Sequence, residues 1–168
     1  MTTVTAGQIL SKLKKMHTQK DDPRALQDAF YTEVKTGRTQ LGYLRLDAIA
    51  IKKSWVKPCI IGYEVKVKRS DFLRDKKWQN YQKYCHEFWF VCPPGVVTLE
   101  DLAAVNCGDV GLLYYSPEHD TLFTKRRAMY RKIDLRSREV VEMLYYLAVY
   151  RADGADNSST IRRVGESS

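Results

Sequence analysis

One stretch of the sequence decides the fold: residues 60–67 read IIGYEVKV. Apart from Glu64 and Lys66 this stretch is almost wholly apolar, which is typical of a strand buried on both faces. Because side chains alternate along a strand, Glu64 and Lys66 lie on the same face. Ionised groups in such a strand are costly unless they pair, bind a metal ion or open onto a cleft. On their own, these two residues also fit a partly exposed edge strand that carries a structural ion pair.

The sequence is strand-like on both sides of a polar interval, from Leu41 to Ile51 and from Cys59 to Val67. Two such segments joined by a short polar connection predict a β-hairpin. If the hairpin turns near Trp55, the numbers of paired residues add up to about 110. This register decides which side chains of the two strands face each other.

Asp47 interrupts the first strand as Glu64 interrupts the second. The hairpin register places Asp47 opposite Tyr63 or Glu64. Two carboxylates so close repel each other unless one stays protonated or a cation lies between them, and Lys66 alone is poorly placed to serve both. A hard divalent cation held by oxygen atoms, such as Mg²⁺, fits better.

Two helices are predicted before the hairpin, a short basic one over Ala6–Met16 and a second one that starts around Pro23 and stops near Gly37. Capping acids followed by proline are typical of a helix start. Apolar residues of the second helix recur at spacings of three and four, and the same face continues to Glu33. Glu33 is therefore predicted to face the core and supply a further catalytic acid or metal ligand, with a solvated helix acid as the alternative.

An α/β fold with a mixed central sheet flanked by helices follows from the order of the elements. Residues 1–152 are expected to form a single domain, and residues 153–168, which lack a hydrophobic face, a flexible tail. The elements predicted after the hairpin are a helix over Asp71–Cys85, a strand over Phe88–Cys92, a helix over Leu99–Val105, a strand over Val110–Tyr115, a strand from Thr121, and a helix over Leu135–Arg151.

The chain is basic, with 28 Lys and Arg against 20 Asp and Glu and a formal net charge of +8. Such a charge is expected of a protein that binds polyanions such as DNA, although many basic proteins bind none. No apolar segment resembles a signal peptide or is long enough to span a bilayer, so we expect a cytoplasmic protein without a membrane partner. The four cysteines are far apart and predict buried thiols.

The combination of an inward helix acid, an Asp on one strand and Glu-x-Lys on the next resembles the PD-(D/E)XK nuclease superfamily. The resemblance covers roughly Arg24 to Arg127, and Leu46 stands where the family has its namesake proline. The motifs that are similar to the MmcB-like DNA-repair branch are Tyr63-Glu64-Val65-Lys66, Asp71-Phe72, Asp75, Lys77-Trp78, Tyr81, Cys85-His86 and Phe88–Val91.

This resemblance implies a restriction-endonuclease-like core and a metal-dependent nuclease that hydrolyses DNA phosphodiester bonds in repair, recombination or the processing of mobile elements. It implies that Asp47, Glu64 and the backbone carbonyl of Val65 bind Mg²⁺, with Mn²⁺ as a substitute. Lys66 would position or activate the attacking water. The alternatives are a catalytically inactive nuclease-fold module that binds DNA and a nuclease directed at RNA, and a homodimer is left open.

Basic and aromatic side chains near the predicted site are the candidates for nucleic-acid contacts. Those that follow the Glu-x-Lys strand would flank the reacting phosphate, and a second cluster lies far along the chain. A solvated turn or strand edge is the alternative for the second cluster. The candidates are Lys68, Arg74, Lys76, Lys77 and Tyr81 in the first group and Lys125, Arg126 and Arg127 in the second.

Overall fold

The structure is a computed structural model that describes residues 3–37, 42–54 and 56–151. Within these ranges six strands form one sheet whose strand order follows the sequence. The strands are β1 (Ala29–Lys35), β2 (Arg45–Lys52), β3 (Cys59–Val65), β4 (Glu87–Cys92), β5 (Gly111–Ser116) and β6 (Thr121–Arg126). The helices are α1 (Ala6–Thr18), α2 (Arg69–Arg74), α3 (Leu99–Ala104) and α4 (Arg138–Tyr150), with a 3₁₀ helix over Trp78–Tyr84.

Strand directions are mixed across the sheet. The strands β1, β2 and β3 pair antiparallel, β3, β4 and β5 pair parallel, and β6 returns antiparallel to β5. Every residue of β3 is buried, as expected for a central strand covered on both faces. The helix-flanked mixed sheet confirms the predicted α/β class.

The two faces of the sheet have separate hydrophobic cores. On one face α1 contributes Ile9 and Leu13, which pack with Ile61 of β3. On the other face α2, the 3₁₀ helix, α3 and α4 cover the sheet, and Trp78 packs with Phe88 and Phe90 of β4. Because side chains alternate along each strand, neighbouring residues generally lie in different cores. Glu64 and Lys66 belong to the helix-rich face.

The predicted second helix is wrong, because residues 29–35 form β1 at the edge of the sheet. Phe30 and Val34 are buried there, and β1 pairs along its length with β2. Glu33 interrupts this ladder with a positive φ of 50°. Its side chain is 62% exposed, and its carboxylate lies 3.8 Å from the guanidinium of Arg45. Glu33 is therefore not an inward-facing helix acid.

The other elements follow the prediction more closely. The hairpin is confirmed as β2 and β3, and Thr98 caps α3 through a reciprocal capping box with Asp101. The continuous helix predicted over Asp71–Cys85 is wrong, because the chain is extended at Asp75 between α2 and the 3₁₀ helix. The predicted turn residue Trp55 and the predicted tail 153–168 lie outside the described residues. No helix in the part of the chain that the structure describes could cross a bilayer.

Candidate active site

The predicted acids of the hairpin come together at the carboxyl end of β3. Ala48 pairs with Tyr63, which places Asp47 beside Glu64 on the neighbouring strand and confirms the predicted register. Asp47 Oδ2 accepts a hydrogen bond of 2.7 Å from the backbone N–H of Val65. The Asp47 carboxylate therefore lies against the backbone that carries Glu64.

Lys66 follows the last residue of β3 and shares a cluster with Glu64. Both side chains are buried, with 8% of Lys66 and 6% of Glu64 exposed. The Lys66 Nζ donates to Glu64 Oε1 at 2.9 Å and to Asp75 Oδ2 at 2.6 Å. The sequence suggested no contact for Asp75, whose only signal was its place in the motifs of the resemblance. The site thus contains three carboxylates and one ammonium group.

Burial and mutual repulsion set the protonation of the carboxylates. Burial, followed by the charge of Asp47, raises the pKa of Glu64 to about 8. The pKa of Asp47 is also raised, mainly by burial. Burial acts in the same direction on Asp75, but hydrogen bonds from Lys66 and the Lys77 backbone outweigh it and lower the Asp75 pKa. Burial and the charge of Asp47 therefore favour the protonated form of Glu64 more than in an isolated glutamate, while the contact with Lys66 acts in the opposite direction.

The ammonium group of Lys66 is stabilised in its charged form. Burial alone would lower the pKa of Lys66, but the neighbouring carboxylates of Glu64 and Asp75 outweigh burial and raise it. A lysine with two carboxylate partners stays a cation over the physiological pH range. Lys66 therefore supplies a fixed positive charge next to Glu64.

One oxygen of Glu64 makes no hydrogen bond within the part of the chain that the structure describes. This is the buried Oε2 atom, whereas Oε1 accepts a hydrogen bond from Lys66. A buried carboxyl oxygen without a partner is costly, and a cation is one ligand that would satisfy it. No group of three or more His, Cys, Asp or Glu residues in the described ranges is arranged to hold a metal ion. Mg²⁺ needs fewer protein ligands, because it usually keeps several waters and binds through one or two carboxylates. The carboxylate oxygens of Asp47 and Glu64 are donors of the kind that Mg²⁺ would accept.

Most of the predicted phosphate-contacting residues in the first group follow β3 on the surface. Lys68, Lys76 and Lys77 are exposed, and the Lys77 backbone N–H donates to Asp75 Oδ1 at 2.8 Å. Arg74 is also exposed and forms an ion pair of 2.9 Å with Asp71 on α2. These cations lie on the segment that borders the cluster.

Tyr81 reaches the cluster from the 3₁₀ helix. Its ring is buried and packs near Phe88, with centroids 6.3 Å apart. Burial, followed by the charges of Glu64, Asp75 and Asp47, raises the pKa of Tyr81 to about 12. The phenol is therefore within electrostatic range of the carboxylates, but most of its surface is used for packing.

The second basic cluster lies on another part of the sheet. Lys125 and Arg126 belong to β6, which is three strands from β3, or roughly 14 Å at the usual strand spacing. Arg126 donates to the backbone carbonyls of Val110 and Cys107 at 2.9 and 2.6 Å, so it links β6 to the loop before β5. Lys125 and Arg127 are exposed. The structure does not bring this cluster or the Glu33 carboxylate into the Glu64 and Lys66 cluster.

A buried hydrogen-bond chain supports β3 from the opposite face. The Tyr63 hydroxyl lies 2.8 Å from His17 Nε2, and His17 Nδ1 lies 2.7 Å from Asp28 Oδ2. Lys20 donates to the other oxygen of Asp28 at 2.7 Å. These hydrogen bonds join α1 to Tyr63, the residue before Glu64. The spacing of the histidines in the sequence gave no sign of this contact.

Gly62 permits the close packing of the 3₁₀ helix against β3. A Cβ atom at this position would overlap the Sγ atom of Cys85 and lie 3.1 Å from the Leu46 side chain. Only glycine leaves room for these neighbouring side chains. The glycine two residues before Glu64 therefore lets the Cys85 side chain, at the end of the 3₁₀ helix, pack against β3.

Comparison with known proteins identifies a fold but no family. No family model matches the chain, and no curated protein matches it. It is similar to the solved structure of SPO1766, a protein of unknown function from Silicibacter pomeroyi, with 20% sequence identity and a TM-score of 0.52. The match covers 83% of this chain and 86% of that one. At this identity the likeness concerns the fold alone.

Proposed function

We propose that the protein is a metal-dependent nuclease with a restriction-endonuclease-like core that hydrolyses phosphodiester bonds in DNA. The observation that carries this proposal is the Asp47 and Glu64 pair, in which the buried Oε2 of Glu64 has no hydrogen-bond partner among the described residues. A divalent cation at this place would satisfy that oxygen and relieve the repulsion between the two carboxylates. The Lys66 ammonium beside it completes a set of groups suited to a phosphate ester.

Asp47, Glu64 and the carbonyl of Val65 would hold the metal ion. When bound, Mg²⁺ stabilises charge on a phosphate and makes water more nucleophilic near neutral pH. Lys66 would contact the phosphate or the attacking water as a compact cation, because its ammonium is fixed 2.9 Å from Glu64 Oε1. Repulsion from the acid cluster would otherwise keep a phosphodiester away from these groups.

The charge distribution supports a polyanionic substrate. The exposed residues Lys68, Arg74, Lys76 and Lys77 lie on the chain segment directly after β3 and are suited to phosphate contacts. Together with the net charge of +8, they favour nucleic acid over a small neutral substrate. The choice of DNA, and a role in repair, recombination or mobile-element processing, rests on the resemblance to the PD-(D/E)XK superfamily.

A DNA-binding module without catalysis is the second candidate. Lys66 forms ion pairs of 2.9 and 2.6 Å with Glu64 and Asp75, and such a set could persist as a structural element in an inactive fold. Under this hypothesis the exposed lysines would bind DNA, and the acids would only neutralise Lys66. The unpartnered Glu64 oxygen and the adjacent Asp47 favour the nuclease.

One assay separates these functions. The purified protein is incubated with labelled single-stranded, double-stranded and branched DNA and with RNA, in Mg²⁺, in Mn²⁺ or in EDTA. We expect metal-dependent cleavage of DNA that is lost in Asp47→Asn and kept in Asp120→Asn, which removes an acid from an exposed ion pair with Lys12. Binding without cleavage in either metal would favour the module, and cleavage confined to RNA would correct the substrate.

A further inference from the structure

The break between α2 and the 3₁₀ helix brings a third carboxylate into the candidate site. The backbone N–H of Asp75 bonds back to the carbonyls of Asp71 and Phe72, and Asp75 itself is extended at φ −75° and ψ 111°. Its two carboxylate oxygens have different partners. Oδ1 accepts the N–H of Lys77 at 2.8 Å, and Oδ2 accepts the Lys66 ammonium at 2.6 Å.

Asp75 holds Lys66 independently of Glu64. The lysine side chain has a flexible four-carbon stem, so its ammonium needs fixed acceptors to keep one position. Glu64 Oε1 is one acceptor at 2.9 Å, but Glu64 is also a proposed metal ligand. Asp75 has no such second task, and its Oδ1 is anchored by the backbone. The 2.6 Å contact is also the shorter of the two.

We propose that Asp75 is a positioning residue that fixes the Lys66 ammonium for phosphodiester hydrolysis, a role that rests on the proposed nuclease function. Asp75 acts through Lys66 and need not contact the DNA. Without the charge of Asp75, the Lys66 ammonium would be held by Glu64 alone. The ammonium would then move towards Glu64 and away from the position of the reacting phosphate. The expected defect is therefore in turnover and not in substrate binding.

A purely structural role for Asp75 predicts a different result. In that case the important contact is the one from Oδ1 to the Lys77 N–H, which shapes the turn before the 3₁₀ helix. Asp75→Asn keeps an oxygen for this contact and removes the charge that faces Lys66. Asp75→Ala removes both. The asparagine variant therefore separates the two roles, and Asp75→Ser, which also keeps an acceptor, replaces it if the asparagine variant does not fold.

The test compares metal-dependent DNA cleavage by the full chain and its variants. We expect Asp75→Asn and Asp75→Ala to lower kcat by about 10- to 100-fold, because small displacements of a reacting group have effects of this size, while KM stays within about twofold. The control is Asp120→Asn, which breaks the exposed 3.1 Å contact with Lys12 at a site where asparagine tolerates the positive φ of 43°. This control should match the parent.

Thermal melts without metal provide a readout that does not depend on activity. Asp75→Asn should lower the melting temperature of the parent but have little effect in a Lys66→Met background, because the lost partner is then already absent. If Asp75→Asn lowers the melting temperature equally in the parent and in the Lys66→Met background, Asp75 does not act through its contact with Lys66. A cleaving parent with an Asp75→Asn variant of unchanged kcat would overturn the role of Asp75 alone. A parent that cleaves no nucleic acid would overturn the nuclease function, and the role of Asp75 with it.

Discussion

Replacing Glu64 by glutamine should make the metal-free protein more stable than the parent above neutral pH. In the folded protein burial and Asp47 raise the pKa of Glu64 from an ordinary 4.5 to about 8. A group with a raised pKa binds its proton more tightly in the folded state. Its contribution to stability is therefore complete below about pH 4.5 and is lost as the pH rises through about 8. Glutamine keeps the shape of the side chain and has no proton to lose.

The size of the effect follows from the same shift. Each unit between the folded and unfolded pKa values corresponds to 1.36 kcal/mol. The free energy of unfolding of the parent should therefore fall by about 5 kcal/mol in total as the pH rises. Glutamine does not leave the Lys66 ammonium without a charged partner, because Asp75 Oδ2 remains 2.6 Å away. Between pH 5 and pH 9, the free energy of unfolding of Glu64→Gln should therefore increasingly exceed that of the parent.

Urea unfolding in EDTA at pH 5, 7 and 9 measures this difference, with Glu118→Gln as a control at an exposed acid in the turn between β5 and β6. The free energy of unfolding of the parent should fall relative to Glu64→Gln as the pH rises, and the control should follow the parent. Added Mg²⁺ should stabilise the parent and have little effect on the variant. A variant that is roughly 3–5 kcal/mol less stable than the parent at every pH would refute the reasoning and identify Glu64 as a structural partner of Lys66.

Three further predictions concern the metal, the substrate surface and the packing. DNA cleavage should stop in excess EDTA and return with Mg²⁺ or Mn²⁺, and undiminished cleavage in EDTA would exclude the proposed role of the carboxylates. DNA affinity should fall steeply as the salt concentration rises. Lys77→Ala should reduce the slope of log affinity against log salt concentration by about one unit. An affinity that does not depend on salt would argue against nucleic acid as a partner. Gly62→Ala should lower the free energy of unfolding by about 1–3 kcal/mol, because its Cβ would overlap Cys85 Sγ. Unchanged urea unfolding of this variant would contradict the close packing.

The central hairpin could be predicted because its signals are local. Apolar residues flank Asp47 and Glu64 on two segments with a strand-like pattern, and a short connection allows only a narrow range of registers. The observed pairing of Ala48 with Tyr63 lies within that range. The relation between the two acids was therefore available from the sequence.

The first strand could not be separated from a helix by local pattern. Leu26, Ala29 and Phe30 have helical spacing, whereas in the structure Phe30 and Val34 pack into different cores on either side of the irregular residue Glu33. Residues 29–35 form a strand because they pair with β2, and this contact between distant residues cannot be recognised from the local sequence pattern. The misplaced Glu33 follows from this error, since an inward position on a helix becomes an exposed one on the edge strand.

The break at Asp75 has a similar origin. The sequence around it favours one continuous helix, and neither proline nor glycine interrupts residues 71–85. The structure ends α2 at Arg74, and the Asp75 carboxylate then contacts Lys66, which belongs to the chain beyond β3. A contact between two elements thus outweighs a helical preference of a few tenths of a kcal/mol per residue. Only the folded arrangement reveals this choice.

A structural ion pair explains part of the site but not all of it. It accounts for Lys66, for Glu64 Oε1 and for Asp75 Oδ2, whose contacts are complete without any ligand. It does not account for Asp47, which raises the pKa of Glu64, or for the buried Oε2 that has no partner in the described part of the chain. Both features destabilise the metal-free fold, and such local conflicts are expected where a protein binds or reacts. In the proposed nuclease, a divalent cation would satisfy Oε2 and offset the repulsion between Asp47 and Glu64 at the same time, whereas an ion pair with Lys66 would do neither.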